Sequence, residues 1–326
     1  MISLSGALLA LGCATLSDSE RRLEYGALDS EAMRGEEMSY SVYTPPGFSA
    51  DERLPLVLFL HGGGDGPEAF DLARIGQALD EAVTAGEVPR AVIVLPQGNL
   101  GFWANWYDGS HRYQDWVLQD LMPVVMRRYH TQGCPDGCHI MGVSMGGAGT
   151  LRFVLNRPEL FASATIISGP ILSTEQMQSF VRNPLLVPMI PTGRIWGPPD
   201  DLARIQRDDP YLRWDDPGDL GQMSLMLAWG DEDRGQIQQT SAAFSRHLSE
   251  AGIEHERLVY DGNHSWVSWT PVIQEALRRQ LWSDPRPSRD TPESLARSGA
   301  RGSRAARTGG SSSASPPAPR SGTDAS

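Results

Sequence analysis

Gly142-Val143-Ser144-Met145-Gly146-Gly147 is the stretch on which the reading of this chain turns. His139–Val143 reads as a short strand before it, and Ala148–Leu155 as a helix after it. A G-x-S-x-G sequence in that context puts the serine on a tight strand-to-helix turn, with its hydroxyl projecting from the sheet edge. The flanking glycines are needed because a Cβ would collide with the neighbouring strand or helix. The helix N-terminus favours negative charge developing nearby. G-x-S-x-G by itself recurs by chance. The strand before and the helix after are what single out Ser144 as a nucleophile.

Outward from this point, strands and helices alternate between residues 38 and 282. Met38–Thr44 alternates polar and apolar residues and stops at Pro45-Pro46-Gly47. Leu54–Leu60 and Ala91–Leu95 are continuous apolar runs, as expected of strands buried on both faces. Phe70, Leu72, Ile75, Leu79 and Val83 recur at helical spacing. Asp115–Tyr129 reads as a helix with a kink at Pro123. Ala162–Ser168, Met223–Trp229 and Arg257–Tyr260 are further strands. Ile237, Thr240, Phe244 and Leu248 mark a helix ended by Gly252, and Ser268–Leu281 is the last helix. This alternation predicts an α/β architecture, a mostly parallel sheet with helices on both faces. Residues 171–221, with many Pro and Asp and few periodic runs, read as an insertion over the C-terminal edge of the sheet. Open α/β sheets place their ligands at that edge.

His61-Gly62-Gly63-Gly64-Asp65 directly follows the Leu54–Leu60 run. A glycine run after a strand lets backbone N–H groups point at a substrate oxygen, as the tetrahedral oxyanion of acyl transfer requires. Gly63 and Met145 are expected to supply the two N–H groups, with His61 a structural part of the turn. A phosphate-binding loop would need a following G-K-[ST], which is missing. A serine hydroxyl needs a base, and the base an orienting carboxylate, in the chain order Ser, acid, His. Of the histidines after Ser144, His247 falls in a helix and His255 at a strand start. Only His264 lies in a loop after the last strand. The acid belongs after the penultimate strand, in Gly230-Asp231-Glu232-Asp233. Asp233 is the choice, with Asp231 and Glu232 as alternatives. No cofactor or metal is implied.

The segments LFLHGGGD (58–65), NWYDGSHRYQDWVLQDLMPVV (105–125), GVSMGGAGTLRFVLNRPELFASATIISG (142–169) and GNHSW (262–266) resemble the putative-esterase (esterase D-like) family of α/β hydrolases. That family includes feruloyl esterases and S-formylglutathione hydrolases, and the resemblance spans about residues 38–282. It implies the α/β-hydrolase fold and cleavage of carboxylic esters through an acyl-enzyme. The family's nucleophile, acid and base match Ser144, Asp233 and His264. Its substrates vary widely, so the resemblance speaks to the reaction more than to the substrate. Two other readings use the same residues. One is acyl transfer to a sugar or lipid. The other is an inactive cell-surface binding protein that keeps the fold.

Nine tryptophans are many for this length. Trp116 and Trp229 read as core, whereas Trp103, Trp106 and Trp266 are candidates to line a substrate pocket. Asp200-Asp201, Asp208-Asp209 and Asp215-Asp216 suggest a charged cover poorly suited to lipid. The expected substrates are therefore short or aromatic acyl esters, carbohydrate-linked ones included. Cys134 and Cys138, in C-x3-C spacing, read as a local disulfide rather than half of a zinc site. Residues 1–17 are uncharged and mostly apolar. Leu9-Ala10-Leu11-Gly12-Cys13 resembles a bacterial lipoprotein processing box, with Cys13 the lipidated residue. This predicts export to the cell envelope and membrane attachment, against a cytoplasmic alternative. Residues 283–326 have a disordered composition. The formal net charge of −12 argues against nucleic acid as a partner.

Overall fold

The computed structural model of the chain describes residues 22–185, 189–216 and 218–282. The lipobox-like segment with Cys13 and the tail at 283–326 lie outside the described residues. Eight strands form one sheet: β1 (Glu24–Ser30), β2 (Glu36–Tyr43), β3 (Leu56–Leu60), β4 (Val92–Pro96), β5 (Cys138–Val143), β6 (Ser163–Ile167), β7 (Ser224–Gly230) and β8 (Glu256–Tyr260). Their spatial order is β1-β2-β4-β3-β5-β6-β7-β8. The pairings from β4 through β8 are parallel, while β1 and β2 run antiparallel at one edge.

The apolar runs divide by the period of two that a strand imposes. Leu56, Leu58 and Leu60 face one core, and Val57 and Phe59 the other. On the first face, Trp116, Val117, Leu121 and Val125 pack with Leu151 and Phe153 and with Phe244 and Leu248. On the second, Phe70, Ile75 and Leu79 pack with Trp269, Val272, Ile273 and Leu277. Each such fully buried side chain contributes about 1.5–3 kcal/mol. Trp116 and Trp229 are core residues, as expected.

Several local expectations change. β1 lies upstream of the start expected at residue 38, as the outer strand of a hairpin with β2. Being an edge strand with mostly exposed side chains, it carries no apolar run to announce it. The helix expected across Phe70–Val83 is two, α1 (Ala69–Leu72) and α2 (Ile75–Thr84), broken at Arg74 with φ 58°. Leu72 accordingly points to solvent, 58% exposed. The irregularity expected at Pro123 takes the form of a π turn, Trp116–Leu121. It joins α3 (Tyr113–Asp115) to α4 (Met122–Arg128), immediately before the residue that has no N–H to donate. Cys134 and Cys138 are joined in a disulfide.

The nucleophile-bearing helix, α5 (Met145–Asn156), starts directly after β5 and Ser144. The insertion between β6 and β7 is not irregular chain. Among its described residues it holds four short helices: α6 (Thr174–Arg182), α7 (Thr192–Trp196), α8 (Leu202–Gln206) and α9 (Pro210–Arg213). Several of its acids are engaged in structure. Asp201 accepts the Arg204 N–H at the start of α8. Asp208 pairs with Arg152 of α5 at 3.0 Å. Asp209, buried, caps α9 and also accepts the Thr174 amide and hydroxyl. The charged cover inferred from the acid pairs is therefore corrected at these positions, which are caps and a half-buried ion pair.

The tightest backbone approach is at Gly146, where a Cβ would stand 1.9 Å from the Leu60 carbonyl oxygen and 2.7 Å from that of His61. Both obstacles are backbone, so no side chain can yield. Gly146→Ala should cost about 3 kcal/mol, the upper range for overpacking. For a domain of this size that lowers the melting temperature by roughly 6–12 °C. Differential scanning calorimetry checks this, and an unchanged melting temperature would contradict the close approach.

Candidate active site

Ser144 sits at φ 55°, ψ −118°, between the end of β5 and the first turn of α5. A non-glycine residue pays about 1–2 kcal/mol for the left-handed region. The neighbouring structure enforces it, because the Ser144 amide donates to the Ile167 carbonyl of β6 at 2.9 Å. The turn leaves Ser144 partly exposed between buried neighbours.

His264 lies in the loop between β8 and α11 (Trp266–Leu281). Its Nε2 is 2.8 Å from Ser144 Oγ, and its Nδ1 is 2.7 Å from Asp233 Oδ1. Asp233 follows β7, just before α10 (Gly235–Glu250). Burial would raise the Asp233 carboxyl. The hydrogen bonds it accepts, led by that from His264 and including the Arg234 amide, outweigh burial and hold it below the ordinary carboxylate range. An ionised carboxylate on Nδ1 fixes the imidazole with Nε2 free to accept the serine proton. The edge of Trp269 closes one side of the imidazole, with ring centroids 4.9 Å apart.

Of the three carboxylates after β7, only Asp233 meets the imidazole. Asp231 is exposed and accepts the Gly262 amide at 3.0 Å, tying together the loops after β7 and β8. Glu232 is exposed as well. His247 instead pairs with the Trp214 carbonyl and His255 with Ser245.

The Gly62-Gly63 segment runs beside the serine. A Cβ at Gly62 would lie 3.5 Å from Ser144 Cβ, and one at Gly63 would lie 4.0 Å from Met145 Cβ. The Met145 amide opens α5, where a helix leaves its amides without intrahelical acceptors. His61 is buried at the base of this loop. Burial lowers its pKa, its Nε2 accepts the Gly98 amide at 3.0 Å, and its Nδ1 lies 2.8 Å from the Gly62 carbonyl. It is a neutral brace of the turn.

The three tryptophans proposed as pocket residues separate. Trp103 is completely buried, and its ring meets His61 edge-on at 5.0 Å while its indole donates to the His61 carbonyl. It supports the glycine loop from behind and does not line a pocket. Trp106 belongs to a cluster with His111 and Tyr113, and the Arg194 guanidinium covers its ring. Only Trp266 stands at the site: it packs edge-on to Trp269, and its indole approaches Asp65 Oδ1 at 3.4 Å. Burial pushes the Asp65 carboxyl up, opposed by the Trp266 contact. Sequence reasoning missed Leu100. It is 40% exposed, and its Cδ2 would lie 3.5 Å from a Cβ at Gly63. No pattern signals it, because it comes from a loop after β4. Among the described residues no group of three or more His, Cys, Asp or Glu could hold a metal ion.

A mostly parallel eight-stranded sheet, with a serine at the β5–α5 elbow and a histidine and acid from the loops after β8 and β7, defines an α/β hydrolase. The chain belongs to the putative esterase family, which matches residues 30–280. It is 28% identical over 266 residues to esterase Rv1288 of Mycobacterium tuberculosis, covering 76% of this chain and 57% of the relative. This chain thus spans little more than half the length of that curated protein. Among solved structures it is similar to a ferulic acid esterase, with TM-score 0.66 and 20% identity, covering 78% of this chain and 96% of the other. It is also similar to an S-formylglutathione hydrolase from Staphylococcus aureus, with TM-score 0.63 and 20% identity, covering 79% and 98%.

Ser144→Ala and His264→Ala should each lower kcat for p-nitrophenyl acetate by roughly 10³-fold or more, because such residues act as a unit. Asp233→Asn should be severe and Asp231→Asn mild. Steady-state kinetics on the four variants decide it, and a larger loss in the Asp231 variant would transfer the acid role to that residue.

Proposed function

We propose that this protein is a serine esterase acting on short-chain or aromatic carboxylic esters, carbohydrate-linked esters included, through an acyl-enzyme on Ser144. The observation that carries the reading is the unbroken hydrogen-bonded line from Ser144 Oγ through His264 to Asp233 Oδ1. His264 Nε2 takes the hydroxyl proton as Oγ attacks the ester carbonyl carbon. The Gly63 and Met145 amides receive the oxyanion. Collapse breaks the carbonyl–alkoxy bond, and the imidazolium returns its proton to the departing alcohol. Water then repeats the sequence on the acyl-enzyme and releases the acid. A fold kept only for binding has no need of these three side chains in line.

The substrate class rests on three supports. The longest helix among the described residues of the insertion is the nine-residue α6, so it offers no long amphipathic lid of the interfacial type. Leu100 borders Gly63 and the Trp266 indole approaches Asp65, which gives the glycine loop an aliphatic and an aromatic neighbour. A ferulic acid esterase is among the similar structures. The test is a chain-length series of p-nitrophenyl esters together with methyl ferulate. We expect kcat/KM to be highest for acetate, butyrate or ferulate. A steady rise to palmitate with a jump above the micelle concentration would make the enzyme a lipase.

For location, we infer an exported protein held to the membrane through lipidated Cys13. The Cys134–Cys138 disulfide supports an oxidising compartment, and the Leu9–Cys13 sequence supports the anchor. Cys13→Ala should move the protein from the membrane to the soluble fraction of its host. Equal fractionation of both forms would remove the anchor.

A further inference from the structure

In the loop between β4 and α3 the backbone is left-handed at Asn99 (φ 46°), Phe102 (φ 53°) and Trp103 (φ 56°). Asparagine visits that region readily, whereas a bulky side chain there is an outlier. Two aromatic residues in succession keep such angles only where their surroundings hold them. The surroundings of these two lie on opposite sides of the loop.

Trp103 turns inward and is completely buried. Its ring packs so closely on two glycines that a Cβ would stand 2.4 Å from it at Gly98 and 2.5 Å from it at Gly149 of α5. Its indole N–H donates to the His61 carbonyl at 3.3 Å, and its ring meets the imidazole edge-on. His61 Nε2 accepts the Gly98 amide, so Nδ1 carries the proton and donates to the Gly62 carbonyl at 2.8 Å. Trp103 is thus one residue removed from the glycine loop.

Phe102 turns outward, into the insertion. Its ring meets Trp196 of α7 edge-on at 5.0 Å and Phe180 of α6 edge-on at 5.8 Å, and those two rings meet each other at 5.5 Å. The Phe102 carbonyl accepts from Arg152 Nη1 at 2.8 Å, and Arg152 pairs with Asp208 of the insertion. Further along the loop, the Tyr107 amide donates to the Ile195 carbonyl at 3.0 Å, and Asp108 pairs with Arg194 of α7 at 2.8 Å. The insertion therefore grips this loop by backbone, charge and aromatic contact.

We propose that Phe102 is a positioning residue for the oxyanion-binding amides. Its ring, seated against Phe180 and Trp196, holds the left-handed turn that presses Trp103 onto His61, and so keeps Gly62 and Gly63 beside Ser144. Phe102 and Trp103 share a planar peptide, so relaxation of the first swings the second. The insertion is then a buttress of the glycine loop as well as a cover. The proposal rests on the esterase reading, with Gly63 and Met145 as the oxyanion donors. The oxyanion exists only beyond the ground state, so its misplaced donors show in kcat and not in KM.

The test measures kcat and KM for p-nitrophenyl acetate in wild type, Phe102→Ala, Phe102→Gly, Phe180→Ala and the Phe102→Ala/Phe180→Ala double variant. Each preparation is titrated to completion with a fluorophosphonate, so that rates are per reactive serine. Glycine accepts the left-handed angle without the ring, so Phe102→Gly carries the test where the alanine variant does not fold. We expect kcat to fall about tenfold to a hundredfold in both Phe102 variants, as for donors displaced rather than removed, with KM within about twofold of wild type. Phe180→Ala should show a smaller loss of the same kind. The double variant should lose no more than Phe102→Ala alone, because both rings act through one contact. Wild-type kcat in Phe102→Gly overturns the proposal, as does a loss confined to KM or a double variant whose losses multiply. If wild type neither labels nor hydrolyses any ester in the series, the esterase reading itself has failed. That outcome is distinct from an active wild type with an indifferent Phe102.

Discussion

The crossing of α5 over the ends of β3 and β5 is the constraint on which the rest of the site depends. Gly146 meets the backbone of Leu60 and His61 so closely that no β-carbon fits between them. That contact sets where the helix begins. With the helix start fixed and the Ser144 amide bound to Ile167 of β6, the serine has one conformation left to it, a left-handed one. The same contact brings the residues after β3, Gly62 and Gly63, alongside Ser144 and the first amide of α5. Nucleophile and glycine loop are thus neighbours through backbone packing, before any side chain is considered. Trp103 and His61 fill the space behind the loop and keep it there.

A second close approach positions the other two groups. A Cβ at Gly230 would lie 2.0 Å from the Gly262 carbonyl, so the chain leaving β7 touches the chain leaving β8. Three hydrogen bonds reinforce the contact: the Asp231 amide to Tyr260, the Glu232 amide to Gly262, and the Gly262 amide to the Asp231 carboxylate. Asp233 and His264 lie immediately beyond this clasp. Their 2.7 Å contact follows from two parallel neighbouring strands whose following loops are locked together. Asp231 thereby has an architectural duty, which explains how three acids can stand within three residues while one reaches the imidazole.

Features that many residues specify together could be read from the sequence. The buried strands appear as apolar runs because both their faces are covered, and Ser144 is flanked by glycines because backbone crowds it. His264 stood out by elimination and Asp233 by spacing. What depends on a single side chain's surroundings was not legible. β1 pairs at an edge with little burial, so its composition is that of a loop. Trp103 and Trp266 both follow strand ends, and sequence does not say that one indole turns inward to His61 while the other reaches Asp65. The π turn before Pro123 depends on how the helix satisfies its carbonyls, which composition does not encode.

The insertion shows how charge can mislead when counted without partners. Asp208 and Asp209 look like a solvated acidic pair, yet one neutralises Arg152 beneath it and the other satisfies the first turns of two helices, α6 and α9. These acids hold the insertion to α5 and hold its short helices together, and so they carry no information about what docks on its outer surface. Exposed apolar side chains occur there as well, at Leu185, Met189, Leu202 and Leu212. The case against long-chain substrates therefore cannot rest on a charged cover. It rests on helix length, since segments of four to nine residues present too little continuous apolar face to insert into a lipid surface. On the proposed esterase reading, discrimination between substrates would fall to the side chains bordering the glycine loop. There Leu100 borders Gly63, and the Trp266 indole approaches Asp65 of the same glycine loop, the segment that would hold the oxyanion. A change at either residue would then be felt in the transition state as well as in binding, because each borders the loop that, on the proposed reading, holds the oxyanion.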